Sequence, residues 1–97
     1  MKTQMIKRAQ EMMETGTHVQ SACYKIANGM SNEEIREFSD DVGGRALVNG
    51  ATRIITGKHH LTGADRTPLD VQQDRSAWNV TAASYMETVI EGREWRG

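Results

Sequence analysis

Residues 69 to 91 form the longest stretch of this chain without glycine or proline, and they follow directly on a strong helix start. Thr67 can cap a helix through its hydroxyl, Pro68 suits the first helical position, and the carboxylate of Asp70 can accept hydrogen bonds from free backbone amides. One stripe then follows at helical spacing, made of Val71, Arg75, Trp78, Ala82, Tyr85, Met86 and Val89, with Ile90 beside it. The pattern predicts a C-terminal helix of about six turns or more, which serves as the spine of the molecule.

Two helices are predicted in the N-terminal third of the chain. Between Lys2 and Glu14, methionine, isoleucine and alanine recur at helical spacing, with charged residues on the other face. Thr17 can cap a second helical segment that ends at Asn28-Gly29. This second segment is either a separate helix or a continuation of the first with a bend.

The clearest local signal is the segment Ser31-Asn32-Glu33-Glu34. It places a hydroxyl at the N-cap and a carboxylate three residues later, where each side chain can bond to the backbone amide of the other residue. A third helix is therefore predicted to run to about Val42, where Gly43-Gly44 ends it.

The middle of the chain, residues 45 to 61, allows two interpretations. Asn49-Gly50 between two short apolar runs is a β-hairpin signal, whereas the apolar spacing fits a helical period better than strict alternation. We favour the helix, because two short strands alone are only marginally stable. Residues 57 to 67 are polar and rich in turn residues, which predicts an exposed loop. The sequence thus predicts an all-α fold, with residues 1–97 in one small helical domain.

The composition limits the class of protein. Twelve Lys and Arg residues stand against thirteen Asp and Glu, for a net charge of −1, which removes the strong attraction that general nucleic-acid binders need. Cys23 is the only cysteine, as suits a reducing compartment. No apolar run approaches the roughly 20 residues of a membrane span, and the start alternates charged with apolar residues. We therefore expect an unprocessed cytoplasmic protein that does not enter a membrane.

No group of residues predicts catalysis, a metal site or a cofactor. His59-His60 with Asp65 is the nearest approach to a set of metal ligands, but adjacent histidines point in different directions, and surface loop histidines are the favoured interpretation. Cys23 falls on the apolar face of the second predicted helix, where buried thiols are common and inert. The chain is therefore expected not to be an enzyme.

Charge is unevenly distributed along the chain. Five carboxylates form an acidic ridge on the third predicted helix: Glu33, Glu34, Glu37, Asp40 and Asp41. A basic segment follows, which contains Arg45, Arg53, Lys58 and Arg66. The ridge is favoured as a solvated helix face, with a basic partner surface or mimicry of DNA phosphates as the alternative. The basic segment supports an alternative function, that of a small helical DNA-binding regulator.

Aromatic and arginine residues near the C-terminus are the candidate partner contacts. Trp78 and Tyr85 lie on the helical stripe and are favoured as core residues. Trp95, flanked by Arg93 and Arg96, is the preferred binding anchor, because a thin domain can rarely bury such a residue and because Trp and Arg dominate interface energies. Arg75, on the long helix, is a further candidate contact.

The bond between Thr67 and Pro68 lies between a loop and a helix. The favoured interpretation of Pro68, the only proline, is a residue at the first helical position. The alternative is recognition of Thr67 and Pro68 by a prolyl isomerase, since proline bonds in mobile loops populate both isomers. The sequence leaves the cis or trans state open.

Over its full length the chain resembles the second anti-RecBCD proteins of temperate lambdoid phages, which accompany a phage single-strand-annealing recombinase. The resemblance rests on chain size and on three segments: MKTQMIKRAQEMMETGTHVQ, GKHHLTGADRTPLD and SAWNVTAASYMETVIEGREWRG. It implies a non-enzymatic modulator in the host cytoplasm that binds the RecBCD helicase-nuclease through its RecC subunit and redirects the processing of DNA ends. It also implies a link to a host prolyl isomerase, which would give Pro68 a role.

Overall fold

A computed structural model describes residues 1–95 and contains five α-helices in this range. The prediction of an all-α fold with a long C-terminal helix is confirmed. The helices are α1 (Lys2–Glu14), α2 (Val19–Asn28), α3 (Asn32–Val42), α4 (Arg45–Thr56) and α5 (Pro68–Ile90).

Helix α4 settles the ambiguous middle segment, and the hairpin alternative around Asn49-Gly50 is wrong. Leu47, Ala51 and Ile54 are buried on one side of α4 at helical spacing, so the apolar residues of this segment enter the core as one helical face. Gly50 faces Trp78, and a Cβ at this position would lie 3.2 Å from Cδ1 of the indole. The absence of a side chain at residue 50 therefore lets α4 and α5 pack closely.

Both predicted capping boxes are present. Ser31 Oγ accepts a hydrogen bond from the Glu34 amide at 3.2 Å, and the Glu34 carboxylate accepts one from the Ser31 amide at 2.9 Å. Thr67 and Asp70 make the same pair of bonds at the start of α5, at 3.1 and 3.0 Å. Each box satisfies two amides that a helix start would otherwise leave without partners.

The prediction that Thr17 caps the second helix is wrong. The Thr17 amide donates to the carbonyl of Met12 at 3.1 Å, within the turn that closes α1, where Gly16 has a φ of 99°. Helix α2 is a separate helix that begins at Val19. Its N-cap is His18, whose ring Nδ1 accepts from the Gln20 amide at 3.3 Å.

Helix α5 packs against α1, α2 and α4, while α3 packs against α4 and α1. Six of the fifteen buried hydrophobic residues are alanines, so the helices approach one another closely around a few large side chains. The largest of these are Trp78, Phe38, Met5, Ile35, Leu47 and Met86.

Aromatic contacts join α3 to α5. The Phe38 ring meets the rings of Trp78 and Tyr85 edge to face, each with 5.9 Å between centroids. The indole Nε1 of Trp78 donates to Ser39 Oγ at 3.0 Å, and both groups are buried. The placement of Trp78 and Tyr85 in or against the core is confirmed, whereas Val89, at the end of the predicted stripe, is exposed.

The bond between Trp78 and Ser39 gives a test of this packing. We expect Ser39→Ala to lower the free energy of unfolding by about 1–3 kcal/mol, because the buried indole N–H loses its acceptor. Ser84→Ala on the exposed face of α5 is the matched control and should change stability by less than about 0.5 kcal/mol. Urea denaturation followed by circular dichroism measures both, and equal effects would contradict the role of Ser39.

Candidate docking surfaces

The segment after α5 turns back onto the domain instead of extending into solvent. Gly92 has a φ of 72°, and the Arg93 amide donates to the carbonyl of Thr88 at 2.8 Å. The ring of Trp95 meets Tyr85 edge to face at 5.1 Å and lies over Gly44, where a Cβ would be only 2.5 Å from the indole. The expectation that a thin domain leaves Trp95 exposed is therefore wrong. Gly44, between α3 and α4, has no side chain, and the ring packs against it.

The other predicted partner contacts at this end differ in placement. Arg93 is exposed and its Nε is paired with the Glu91 carboxylate at 3.2 Å. Trp95 is half-buried, so part of its surface stays accessible. Arg96 lies outside the described residues. Partner binding by these three residues stays a prediction.

Arg75 joins α5 to the end of α2. Its Nη2 donates to the carbonyls of Ala27 and Asn28, both at 3.0 Å, and its guanidinium lies 5.6 Å from the centroid of the Trp78 ring. These carbonyls belong to the last turn of α2, where helical acceptors lack partners. Burial lowers the pKa of the Arg75 guanidinium from its ordinary value. Arg75 thus has a structural role in the fold, and its contact with a partner stays a prediction.

Thr67 and Pro68 are exposed at the start of α5. The bond between them is trans, and Pro68 occupies the first turn of the helix, as the favoured interpretation predicted. Hydrogen bonds from the Thr67 amide and hydroxyl lower the pKa of the Asp70 carboxyl. The next residue, Leu69, exposes 62% of its surface, so the Thr67-Pro68-Leu69 segment is accessible to a partner. Recognition by a prolyl isomerase stays a prediction.

The acidic ridge of α3 divides into two sets. Glu33, Glu37 and Asp40 are exposed. Glu34 caps the helix and lies 3.8 Å from Arg8, whereas Asp41 accepts a hydrogen bond from the Lys2 amide at 3.0 Å, which lowers the pKa of its carboxyl. Two of the five carboxylates therefore make contacts within the fold, and the other three are exposed to solvent.

Three of the four cations in the basic segment have carboxylate partners. Lys58 pairs with Asp65 at 2.5 Å across the loop. Arg66 makes two hydrogen bonds to Asp74, at 2.6 and 3.0 Å, and the Nε of Arg53 lies 3.4 Å from the same carboxylate. Asp74 is 9% exposed. The sequence argument missed this cluster, although an acidic residue one helical turn before Trp78 was the available signal.

His60 completes the cluster from the loop. Its Nδ1 lies 2.8 Å from Nη1 of Arg53, and since a guanidinium can only donate, the imidazole nitrogen accepts this hydrogen bond. Burial and the nearby Arg53 charge lower the pKa of the His60 ring. The cluster of Arg53, Arg66, Asp74 and His60 therefore carries two positive charges and one negative charge at neutral pH.

Among the clefts that residues 1–95 form on the surface are two small ones. One, of about 100 Å³, lies between α4 and α5 beside this cluster and is lined by Ala46, Gly50, Arg53, Asp74, Ala77, Trp78 and Thr81. The other, of about 120 Å³, lies among α1, α2 and the start of α3 and is lined by Met5, Arg8, Lys25, Ile26, Gly29, Met30 and Glu34. Both volumes exceed the roughly 10–15 Å³ that one water molecule requires.

The residues singled out for metal binding and nucleophilic chemistry are engaged in the fold. His59 Nδ1 accepts hydrogen bonds from the amides of Leu61 and Thr62, at 3.2 and 3.3 Å, and thereby shapes the loop. The expectation that the adjacent histidines point in different directions is wrong, because the His59 and His60 rings are stacked with 4.6 Å between their centroids. Within residues 1–95 no three potential metal ligands come together. Cys23 is buried, as predicted from its helix face, and burial raises the pKa of its thiol to about 11.

Comparisons with known proteins give no relative: no family model, no curated protein and no solved structure matches this chain. None of the helices in residues 1–95 combines the length and the apolar character that a membrane crossing requires.

The charge cluster predicts that two carboxylates, Asp74 and Asp65, contribute unequally to the free energy of unfolding. Asp74→Asn should lower the free energy of unfolding by about 3 kcal/mol, the low end for a broken buried pair, because both arginines keep some solvent contact. Asp65→Asn, which removes an exposed partner of Lys58, is the matched control and should have little effect. Urea denaturation compares the two variants, and an equal loss would show that Asp74 does not hold the cluster together.

The burial of Cys23 predicts low thiol reactivity. A pKa near 11 instead of the ordinary 9.0 reduces the thiolate fraction about 100-fold at mildly alkaline pH, before any steric protection. A disulfide reagent should therefore react at least about 100-fold more slowly with the folded protein than with the protein in guanidinium chloride. Rapid stoichiometric labelling of the folded protein would contradict the buried position of Cys23.

Proposed function

We propose that this protein is a phage-encoded accessory protein that binds the RecC subunit of the host RecBCD helicase-nuclease in the host cytoplasm. Binding redirects the processing of DNA ends in favour of phage recombination. The observation that carries the proposal is the resemblance of three segments, which lie at the start, in the loop before α5 and at the end of the chain. A phage recombinase and a host prolyl isomerase are its further proposed partners.

The mechanism proposed is docking without catalysis. A protein of 97 residues acts on a large enzyme by occupying a surface or by favouring one of its conformations, and either effect needs only binding energy. The accessible parts of the fold suit this role: Arg93 and half-buried Trp95 lie at one end, and Pro68 with exposed Leu69 lies at the start of α5. We propose that RecC contacts the exposed face of α5 and that the isomerase contacts its N-terminus.

Direct binding to DNA has a small part in this proposal. Neutralising phosphates requires several cations that can exchange their counterions for the nucleic acid. Lys58 and Arg66 already pair with carboxylates of the fold, Arg53 shares Asp74 with Arg66, and Arg45 is exposed. The alternative of a DNA-binding regulator therefore receives no support from the arrangement of these side chains.

Pull-down of the tagged protein from a bacterial lysate tests the proposal. We expect stoichiometric recovery of RecC together with RecB and RecD, and no recovery of RecB and RecD from a lysate that lacks RecC. Pro68→Ala should abolish capture of the prolyl isomerase but leave capture of RecC unchanged. Recovery of a different stoichiometric partner in place of RecC, or a salt-sensitive gel shift with DNA, would overturn the proposal.

A further inference from the structure

The cleft between α4 and α5 is lined mainly by small residues and contains two charged side chains. Ala46 and Gly50 line it from α4, and Ala77 and Thr81 line it from α5. Trp78 forms part of its lining between the two helices. Arg53 and Asp74 complete the lining. Because the residues that line it on either side of Trp78 are small, a side chain from another protein can reach the arginine.

Arg53 has hydrogen-bonding capacity directed into this cleft. Its Nη1 bonds to His60 and its Nε faces Asp74, whereas its Nη2 lies 3.9 Å from the position that a Cβ of residue 50 would occupy. Within residues 1–95 no acceptor is hydrogen-bonded to this Nη2. Two guanidinium groups face one carboxylate in the cluster, and Arg66 takes both oxygens of that carboxylate. The excess positive charge therefore falls on Arg53.

The surface beside the cleft is uncharged. The exposed residues of α5 over its first four turns carry no formal charge; they are Pro68, Leu69, Gln72, Gln73, Ser76, Ala77 and Val80. Leu69 and Val80 expose 62% and 60% of their surfaces. A solvated helix face normally carries charged residues, whereas the centres of protein interfaces are depleted of them. An uncharged face next to a single arginine therefore indicates a protein interface that contains one specific polar contact.

We propose that the α4–α5 cleft receives an acidic side chain of a folded protein partner, whose carboxylate pairs with Arg53. The uncharged face of α5, with Ala77 and Val80 next to the cleft, packs against the apolar surroundings of that carboxylate. The inference rests on the proposed function in that RecC is the partner expected to supply the acidic residue. The positive charge of Arg53 favours a carboxylate as the bound group. The uncharged residues around the cleft favour a protein surface as its source.

A nucleic acid fits this cleft less well than a protein does. Proteins that follow a phosphate backbone place several cations along its path. Here one guanidinium is available at the end of a short cleft, and the adjoining exposed residues of α5 supply no cation. A DNA duplex is therefore the opposing outcome in the test.

Three substitutions of nearly equal size at Ala77 separate charge from bulk. Ala77 is exposed and lines the cleft, so Ala77→Glu, Ala77→Gln and Ala77→Lys all leave the core intact. We expect Ala77→Glu to bind RecBCD about tenfold more weakly than Ala77→Gln, because its carboxylate occupies Arg53 and repels the acidic partner residue. Ala77→Lys should bind at least as tightly as Ala77→Gln. Thermal unfolding of each variant verifies that folding is unchanged.

The outcomes of this series are decisive. A reversed order of affinities, with Ala77→Lys the weakest, would show that the partner presents a basic residue and would overturn the proposal. Equal affinity of all three variants and the parent protein would place the interface elsewhere, with the same consequence. Gln10→Glu, at an exposed position of α1 outside both the cleft and the face of α5, provides a control for a general effect of negative charge.

A second measurement does not depend on RecBCD. Sodium acetate supplies a carboxylate alone, and titration into the labelled protein, with sodium chloride at equal ionic strength as the control, should shift the amide signals of Gly50 and Ala77 in a saturable manner. The absence of an acetate-specific shift, or a stronger shift of the same signals by a short DNA duplex, would overturn the proposal. If the parent protein fails to bind RecBCD, the proposed function fails, while the acetate titration still decides the chemistry of the cleft.

Discussion

Trp78 makes the contacts on which the arrangement of four helices depends. Its indole packs against Phe38, donates to Ser39 and lies against Gly50, so one side chain fixes α5 relative to both α3 and α4. On its other side Arg75 lies over the ring and binds the last carbonyls of α2. A small domain buries only a limited apolar area. A single large residue that contacts several helices therefore stabilises several contacts at once.

Polar contacts made by two residues of α5 supplement the thin core. Arg75 closes the end of α2, and Asp74 draws Arg53 of α4 and Arg66 of the loop together. Asp74 and Arg75 are neighbours on α5, so two opposite charges on one helical turn connect it to different parts of the fold. The same arrangement leaves Arg53 with hydrogen-bonding capacity and thereby links stability to the proposed binding of a carboxylate.

Sequence reasoning succeeded where the cause is local. The capping boxes at Ser31 and Thr67 act over three residues, and both helices begin where the sequence placed them. It failed where the cause lies far along the chain. Trp95 is half-buried because Gly44 offers a seat, and Asp74 is buried because two arginines converge on it. Neither relation leaves a periodic pattern, since one depends on how Gly44 meets the residues after α5 and the other on how Arg53 and Arg66 meet the second turn of α5. The proposal of Arg53 as a further docking residue likewise required the three-dimensional structure.

The many alanines of the core have a consequence for how such a chain can vary. Ala9, Ala22, Ala27, Ala51 and Ala82 are completely buried, and each lets two helices approach closely. Any larger residue at these positions would push the helices apart, whereas most outward positions tolerate wide substitution. Proteins built in this way would therefore share small residues at scattered buried positions. Two such chains could have the same fold at low sequence identity.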